Sequence, residues 1–86
     1  MANNMAALRD DIYQKIRTLL AESLGADEDE IDWETNVYDD LNADTLEFHD
    51  EVIPLLEETF DVTIDDADVP ELTTVRELVD YIAENV

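Results

Sequence analysis

The sequence has no cysteine, one glycine, two prolines and only four lysines or arginines in 86 residues. Without cysteine there is no disulfide framework and no thiolate chemistry. So few turn formers disfavour a sandwich or barrel built from many hairpins. Four bases stand against 25 acids, for a formal net charge of −21. That charge repels phosphate backbones and so excludes nucleic acid as a partner. It also repels anionic membrane surfaces. No apolar run approaches the ~20 residues needed to span a bilayer, so membrane insertion is not expected. The opening stretch MANNMAALRDD has no basic region followed by an apolar run. A secretory signal is therefore not expected, and a cytoplasmic location fits.

What is present is patterned. Hydrophobic residues make up 45% of the chain, which separates it from disordered acidic sequences. The length suits one domain over 1–86, with a stability of roughly 4–13 kcal/mol. Leu8, Ile12, Ile16, Leu19, Leu20 and Leu24 recur at helical spacing. They predict a first helix over 6–24, ended by Gly25 in a left-handed conformation. A long loop follows, from Ala26 to Ala43, a length often functional or self-packed. Its acids are expected to face water. Ile31, Trp33, Val37, Tyr38 and Leu41 are expected to close the bundle, with Trp33 a packing residue rather than a ligand platform.

A second helix begins at Thr45. Asp44 is its predicted N-cap, with Glu47 three places on as in a capping box. On a regular wheel Leu46, Phe48, Val52, Ile53, Leu55, Leu56 and Phe60 fall in one half. Glu47, Asp50, Glu51, Pro54, Glu57 and Glu58 fall in the other. The stretch DVTIDDADVPEL reads as a connector with a short helical turn over 65–69, bounded by Pro70. The last helix opens on a Thr74–Glu77 capping box. Its apolar stripe is Val75, Leu78, Val79, Ile82 and Val86. Three amphipathic helices, none able to bury its face alone, predict an all-α fold. The expected architecture is a four-helix bundle with three longer helices, one short third helix and a long first loop.

Thr45 would be the first residue of the second helix. Backbone N–H groups there lack intrahelical acceptors, and the helix dipole places partial positive charge at that end. A phosphate ester on its hydroxyl could sit near those donors. Chemistry at Thr45 is thus possible, although hydroxyl residues at helix starts are commonly structural.

The stretch DDLNADTLEF resembles the attachment motif of acyl carrier proteins, Asp-Leu-Gly-Ala-Asp-Ser-Leu. LLAESLGADEDEI, LEETFDVTI and LTTVRELVDYI are similar to the ends of that family's first and second helices and to its last helix. The resemblance implies the same four-helix bundle. It also implies a 4′-phosphopantetheine arm on Thr45, flanked by Asp44, that holds acyl groups as thioesters. The implied role is carriage of intermediates in fatty-acid, lipid or polyketide synthesis, without catalysis by the chain itself. Glu47, Asp50, Glu51, Glu57 and Glu58 would dock on basic patches of synthase-type enzymes and of a phosphopantetheinyl transferase. Leu46, His49, Ile53 and Leu56 would line the acyl pocket. The protein is expected to be a monomer.

Three departures from the motif carry physical consequences. Thr45 replaces serine, so a methyl on Cβ crowds the oxygen. Asn42 replaces glycine, and asparagine tolerates the left-handed conformation. The second helix holds one residue more than the motif spacing predicts, which together with Pro54 predicts a bulge between His49 and Ile53. His49, the only histidine, falls in the apolar half of the wheel. It is expected as a core or boundary residue held by a hydrogen bond, or as part of the acyl pocket. The acids of DEDEID and DDAD lack EF-hand spacing, so no metal site is expected. The competing reading is an interaction module of the same fold that carries no arm and docks through its acidic second helix.

Overall fold

The computed structural model describes residues 5–86. The first helix, Met5–Leu24, buries Ile12, Ile16 and Leu20. Leu19 and Leu24 are half-buried at its edge, and Leu8 is exposed in its first turn. Gly25 ends the helix at φ 67°, and Ala26 N–H reaches back to the Ala21 carbonyl at 3.0 Å. That pairing satisfies a carbonyl the helix would otherwise leave open.

The loop over 26–43 is held at both edges. A 3₁₀ turn, Glu28–Glu30, starts it. The Arg17 guanidinium then donates to the Ile31 carbonyl at 2.9 Å. Ile31 and Val37 are buried, and Trp33, Tyr38 and Leu41 pack against the core from its margin. Trp33 stacks on Tyr13 with ring centroids 4.2 Å apart. The Arg9 and Arg76 guanidiniums lie 5.2 and 5.3 Å from the Trp33 ring. Arg9 also pairs with Asp80, and Arg76 Nε donates to Glu34 at 2.9 Å. Flat aromatic area and delocalised cations make this contact favourable even half in water.

The loop also completes the last helix, Val75–Asn85. Val75 N–H donates to the Thr35 carbonyl at 3.0 Å and Arg76 N–H to the Trp33 carbonyl at 2.9 Å. Thr74 and Glu77 form the expected capping box. The first-turn donors that no helix can satisfy internally are thus met by loop and cap. Burial raises the pKa of the Glu77 carboxyl, but hydrogen bonds from Thr73 and Thr74 outweigh it and hold it below its usual value. Val75, Leu78, Val79 and Ile82 are fully buried. Val86, expected on the same stripe, lies past the helix end and is exposed.

The second helix is made of three pieces. Thr45–Glu47 is α-helical, Phe48–Val52 is a π turn, and Ile53–Phe60 is α-helical again. Ile53 N–H reaches five residues back, to the Phe48 carbonyl. This is the predicted bulge. Its effect on the wheel is large. A π turn absorbs one residue, so positions after it lag by about 100°. Phe48, Val52, Ile53 and Leu56 then converge on one narrow face, and all four are buried. Leu46 and Leu55 turn outward, 67% and 41% exposed, in place of the burial the regular wheel predicts. Asp61, at φ 54°, caps the helix end, with Val62 N–H bonded to the Glu57 carbonyl at 3.1 Å.

The short third element is only a 3₁₀ turn, Val69–Glu71. It begins at the last residue of the expected 65–69 turn, which is itself closed by the Asp68 N–H on the Asp65 carbonyl at 2.9 Å, and Pro70 lies inside it rather than bounding it. A 3₁₀ start tolerates proline because its first N–H groups have no internal acceptor. Val62 and Ile64 are buried without forming a strand. Thus the molecule is the expected all-α bundle, with three long helices and a very short third element.

Two neighbouring leucines test the register. Leu56→Ala should cost about 3 kcal/mol of unfolding free energy, and Leu55→Ala no more than about 0.5 kcal/mol. Urea denaturation of both variants checks this; equal losses would restore the regular wheel.

Candidate functional site

The end of the long loop turns through Asn42, whose φ of 59° is the left-handed conformation expected at that motif position. Ala43 is buried, and its N–H bonds the Val37 carbonyl at 2.9 Å. The chain therefore leaves the core abruptly, and Asp44, Thr45 and Leu46 are all exposed. Asp44 caps the helix, its carboxylate accepting from the Leu46 N–H at 3.1 Å. The cap expected there is present but the box with Glu47 is not: the bond goes to the Leu46 N–H rather than to Glu47, and no Glu47 arm returns to Asp44 among the described residues. One of the amides expected beside a phosphate at Thr45 is therefore already taken by the Asp44 carboxylate.

Thr45 opens onto a groove of ≈ 460 Å³. Its walls are Tyr38 from the loop, Leu46 and His49 from the second helix, and Val69 and Pro70 from the 3₁₀ turn. The lining is mostly apolar. Burial raises the Tyr38 phenol above its usual pKa, which keeps this wall neutral. His49 is exposed, not a core residue, because the helix face that carries the core lies to one side of it. Its Nδ1 sits 3.2 Å from Asp50 Oδ1 and its Nε2 3.4 Å from Asp66 Oδ1.

The residues expected to line an acyl pocket are thus divided. Leu46 and His49 face the groove beside Thr45, while Ile53 and Leu56 lie in the closed core. The sequence reading missed Tyr38, Val69 and Pro70 as groove walls. Their signal was the apolar loop residue before the motif and the Val-Pro pair of the connector. The five acids expected to dock partners are divided too. Asp50, Glu51 and Glu58 are exposed, and Glu47 is half-exposed. The Glu57 carboxylate instead turns back to accept from the Ile64 N–H at 2.9 Å. Among the described residues no cluster of His, Cys, Asp or Glu could hold a metal ion.

A small helical bundle with an exposed hydroxyl at the start of an acidic second helix defines a carrier class of protein. The phosphopantetheine attachment site family matches residues 14–82. The acyl carrier protein of Thermotoga maritima is 38% identical over 80 residues, covering 93% of this chain and 98% of that protein. That of Rubrobacter xylanophilus is 43% identical over 77 residues, covering 90% and 94%. The solved acyl carrier protein of Enterococcus faecalis superposes with a TM-score of 0.77 at 32% identity, covering 91% of this chain and 98% of that one. The chain belongs to the acyl carrier protein family.

Such proteins are carriers and not catalysts, and their cofactor is 4′-phosphopantetheine. Family membership also brings interaction with enzymes of fatty-acid synthesis. No helix among the described residues is long and apolar enough to cross a membrane. The residues present fit the arm: position 45 offers an exposed alcohol at the rim of an open groove. When attached, the arm supplies a thiol that holds acyl groups. Thr45 would supply the anchoring oxygen, and the start of the second helix would present it.

Removing the cap tests the local frame. Asp44→Ala should lower stability by about 1 kcal/mol, read as a lower thermal midpoint, since only the Leu46 N–H loses its partner.

Proposed function

We propose that the Thr45 hydroxyl is the attachment point of the arm and that residues 1–86 act as one cytoplasmic, monomeric carrier domain. The observation that carries this reading is the exposure of Thr45 at a helix start bordered by an apolar groove. Attack by its Oγ1 on the pantetheine-bearing phosphorus of coenzyme A would form the phosphodiester inside a transferase, breaking the P–O–P bridge, expelling adenosine 3′,5′-bisphosphate and giving the hydroxyl proton to a base of the transferase. Reactions of this kind depend on close alignment. The threonine methyl restricts the rotamers through which the oxygen can approach, so loading is slower than for serine. Asp44 supports the site by fixing the first turn, while its carboxylate keeps one amide from the phosphate.

Partner enzymes, including fatty-acid or polyketide synthases and a phosphopantetheinyl transferase, are met through Asp50, Glu51 and Glu58, with Glu47 at the edge. Charge complementarity supports this: the second helix carries no lysine or arginine, and a basic partner surface would be steered toward it. Glu57 contributes little to docking, being engaged with Ile64. The acyl chain would first meet the groove walls Leu46 and His49. Ile53 and Leu56 would be reached only if the core opened between the second helix and the 3₁₀ turn. The threonine also favours a second reading, an interaction module of the same fold that stays unmodified.

Intact mass after incubation with coenzyme A and a phosphopantetheinyl transferase tests the two. The wild type should gain one arm, Thr45→Ser should gain it about tenfold faster or more, and Thr45→Ala should gain none. Loading of neither the wild type nor Thr45→Ser would overturn the carrier reading. A Glu51→Lys, Glu58→Lys variant should be loaded about tenfold more slowly at low ionic strength, with the gap closing as salt is added. Equal rates would remove these acids from the docking face.

A further inference from the structure

His49 lies between two carboxylates held on different elements. Asp50 Oδ1 is 3.2 Å from Nδ1 and belongs to the same π turn. Asp66 Oδ1 is 3.4 Å from Nε2 and belongs to the connector that leads into Val69–Glu71. A neutral imidazole has one N–H and one lone pair, so it can satisfy only one of these partners and must turn its lone pair toward the other. The imidazolium donates from both nitrogens. Only the cation can attract both carboxylates at once; the Asp50 contact is a hydrogen bond and the Asp66 contact a charge contact. His49, Asp66, Val69 and Pro70 border the same groove as Thr45.

We propose that His49 is a proton-operated strap that ties the second helix to the third element across the groove beside Thr45. When the ring is charged it bridges Asp50 and Asp66, and the connector is held against the helix. When the ring loses a proton one bridge must go. Asp50 is the next residue in the chain and stays close whatever the connector does. The bond to Asp66 is the one released, and the groove widens on the side of Val69 and Pro70.

The surrounding charges agree with this order of events. The hydrogen bond that the His49 ring donates to the Asp50 carboxylate is the largest influence on His49 and raises its pKa above the usual value. Desolvation comes second and opposes it, and the negative charges of Asp66 and Asp50 reinforce it. From the loop, Asp44 and Tyr38 border the groove, the first adding negative charge and the second none while its phenol is protonated. Elsewhere on the connector, Asp68 accepts from the Tyr81 hydroxyl at 2.8 Å and Asp65 accepts from Ala67 N–H at 2.9 Å, so both point to other partners. With the pKa raised, the strap is complete below the usual imidazole pKa and is lost as pH climbs through the raised one.

This inference goes beyond carriage of the arm and does not require that Thr45 be modified. The test accordingly uses the unmodified ¹⁵N-labelled protein, followed by NMR from about pH 5 to pH 9. Amide protection at Val69, Glu71 and Leu72, corrected for intrinsic exchange, should fall by roughly threefold or more as His49 titrates. Protection at Val79 in the last helix should not change over the same step. In Asp66→Asn the step should vanish and the His49 midpoint should move down. His49→Gln, which folds without either ion pair, should be flat across the range. A wild type without the step, or a step that survives in either variant, overturns the strap. Intact-mass loading of Thr45 reads the carrier function separately, so failure of one is not failure of the other.

Discussion

The second helix must hold one residue too many without turning either of its ends out of the core. A regular helix would set Phe48 and Leu56 about 80° apart and spread the apolar residues over half of the wheel. The π turn over Phe48–Val52 takes up the surplus, and both side chains are fully buried. Pro54 follows directly and cannot donate to either the fourth or the fifth residue back. Everything at the candidate site depends on this adjustment. It keeps Thr45, Leu46 and His49 outside while the rest of the helix stays packed, and it sets His49 level with Asp66.

The distribution of charge follows a similar economy. All four basic side chains are engaged away from the second helix. Arg9 and Arg76 bracket Trp33, Arg17 holds the start of the loop, and Lys15 pairs with Asp11 at 3.2 Å. The three arginines hold a long loop against two helices in a chain whose net charge works against compactness. Among the described residues the acids of the second helix have no partner of opposite sign apart from His49. A face of that kind is suited to meeting a basic surface briefly, because exposed charges add more to encounter than to tight holding.

The groove and the core have separate roles. The core is closed, with Phe48, Leu56, Leu78 and Ile82 fully buried. The groove beside Thr45 is open and walled by a three-residue 3₁₀ turn and its connector. Short elements with few internal hydrogen bonds open more readily than long helices. The place where the structure can yield is thus next to the hydroxyl.

Helix existence, helix ends at Gly25 and Thr74, the left-handed Asn42 and the bulge near Pro54 were all legible in the sequence. Each is a local matter of spacing, capping or backbone preference acting over a few residues. The motif DDLNADTLEF likewise pointed to Thr45. The exposure of Leu46, Leu55 and Val86, the approach of His49 to Asp66 and the inward turn of Glu57 were not legible. They depend on how far the π turn rotates the helix and on which elements lie opposite. Local chemistry wrote the helices and the attachment motif into the chain. Only packing decided which side of the second helix meets water, because burial is set by neighbours distant in sequence.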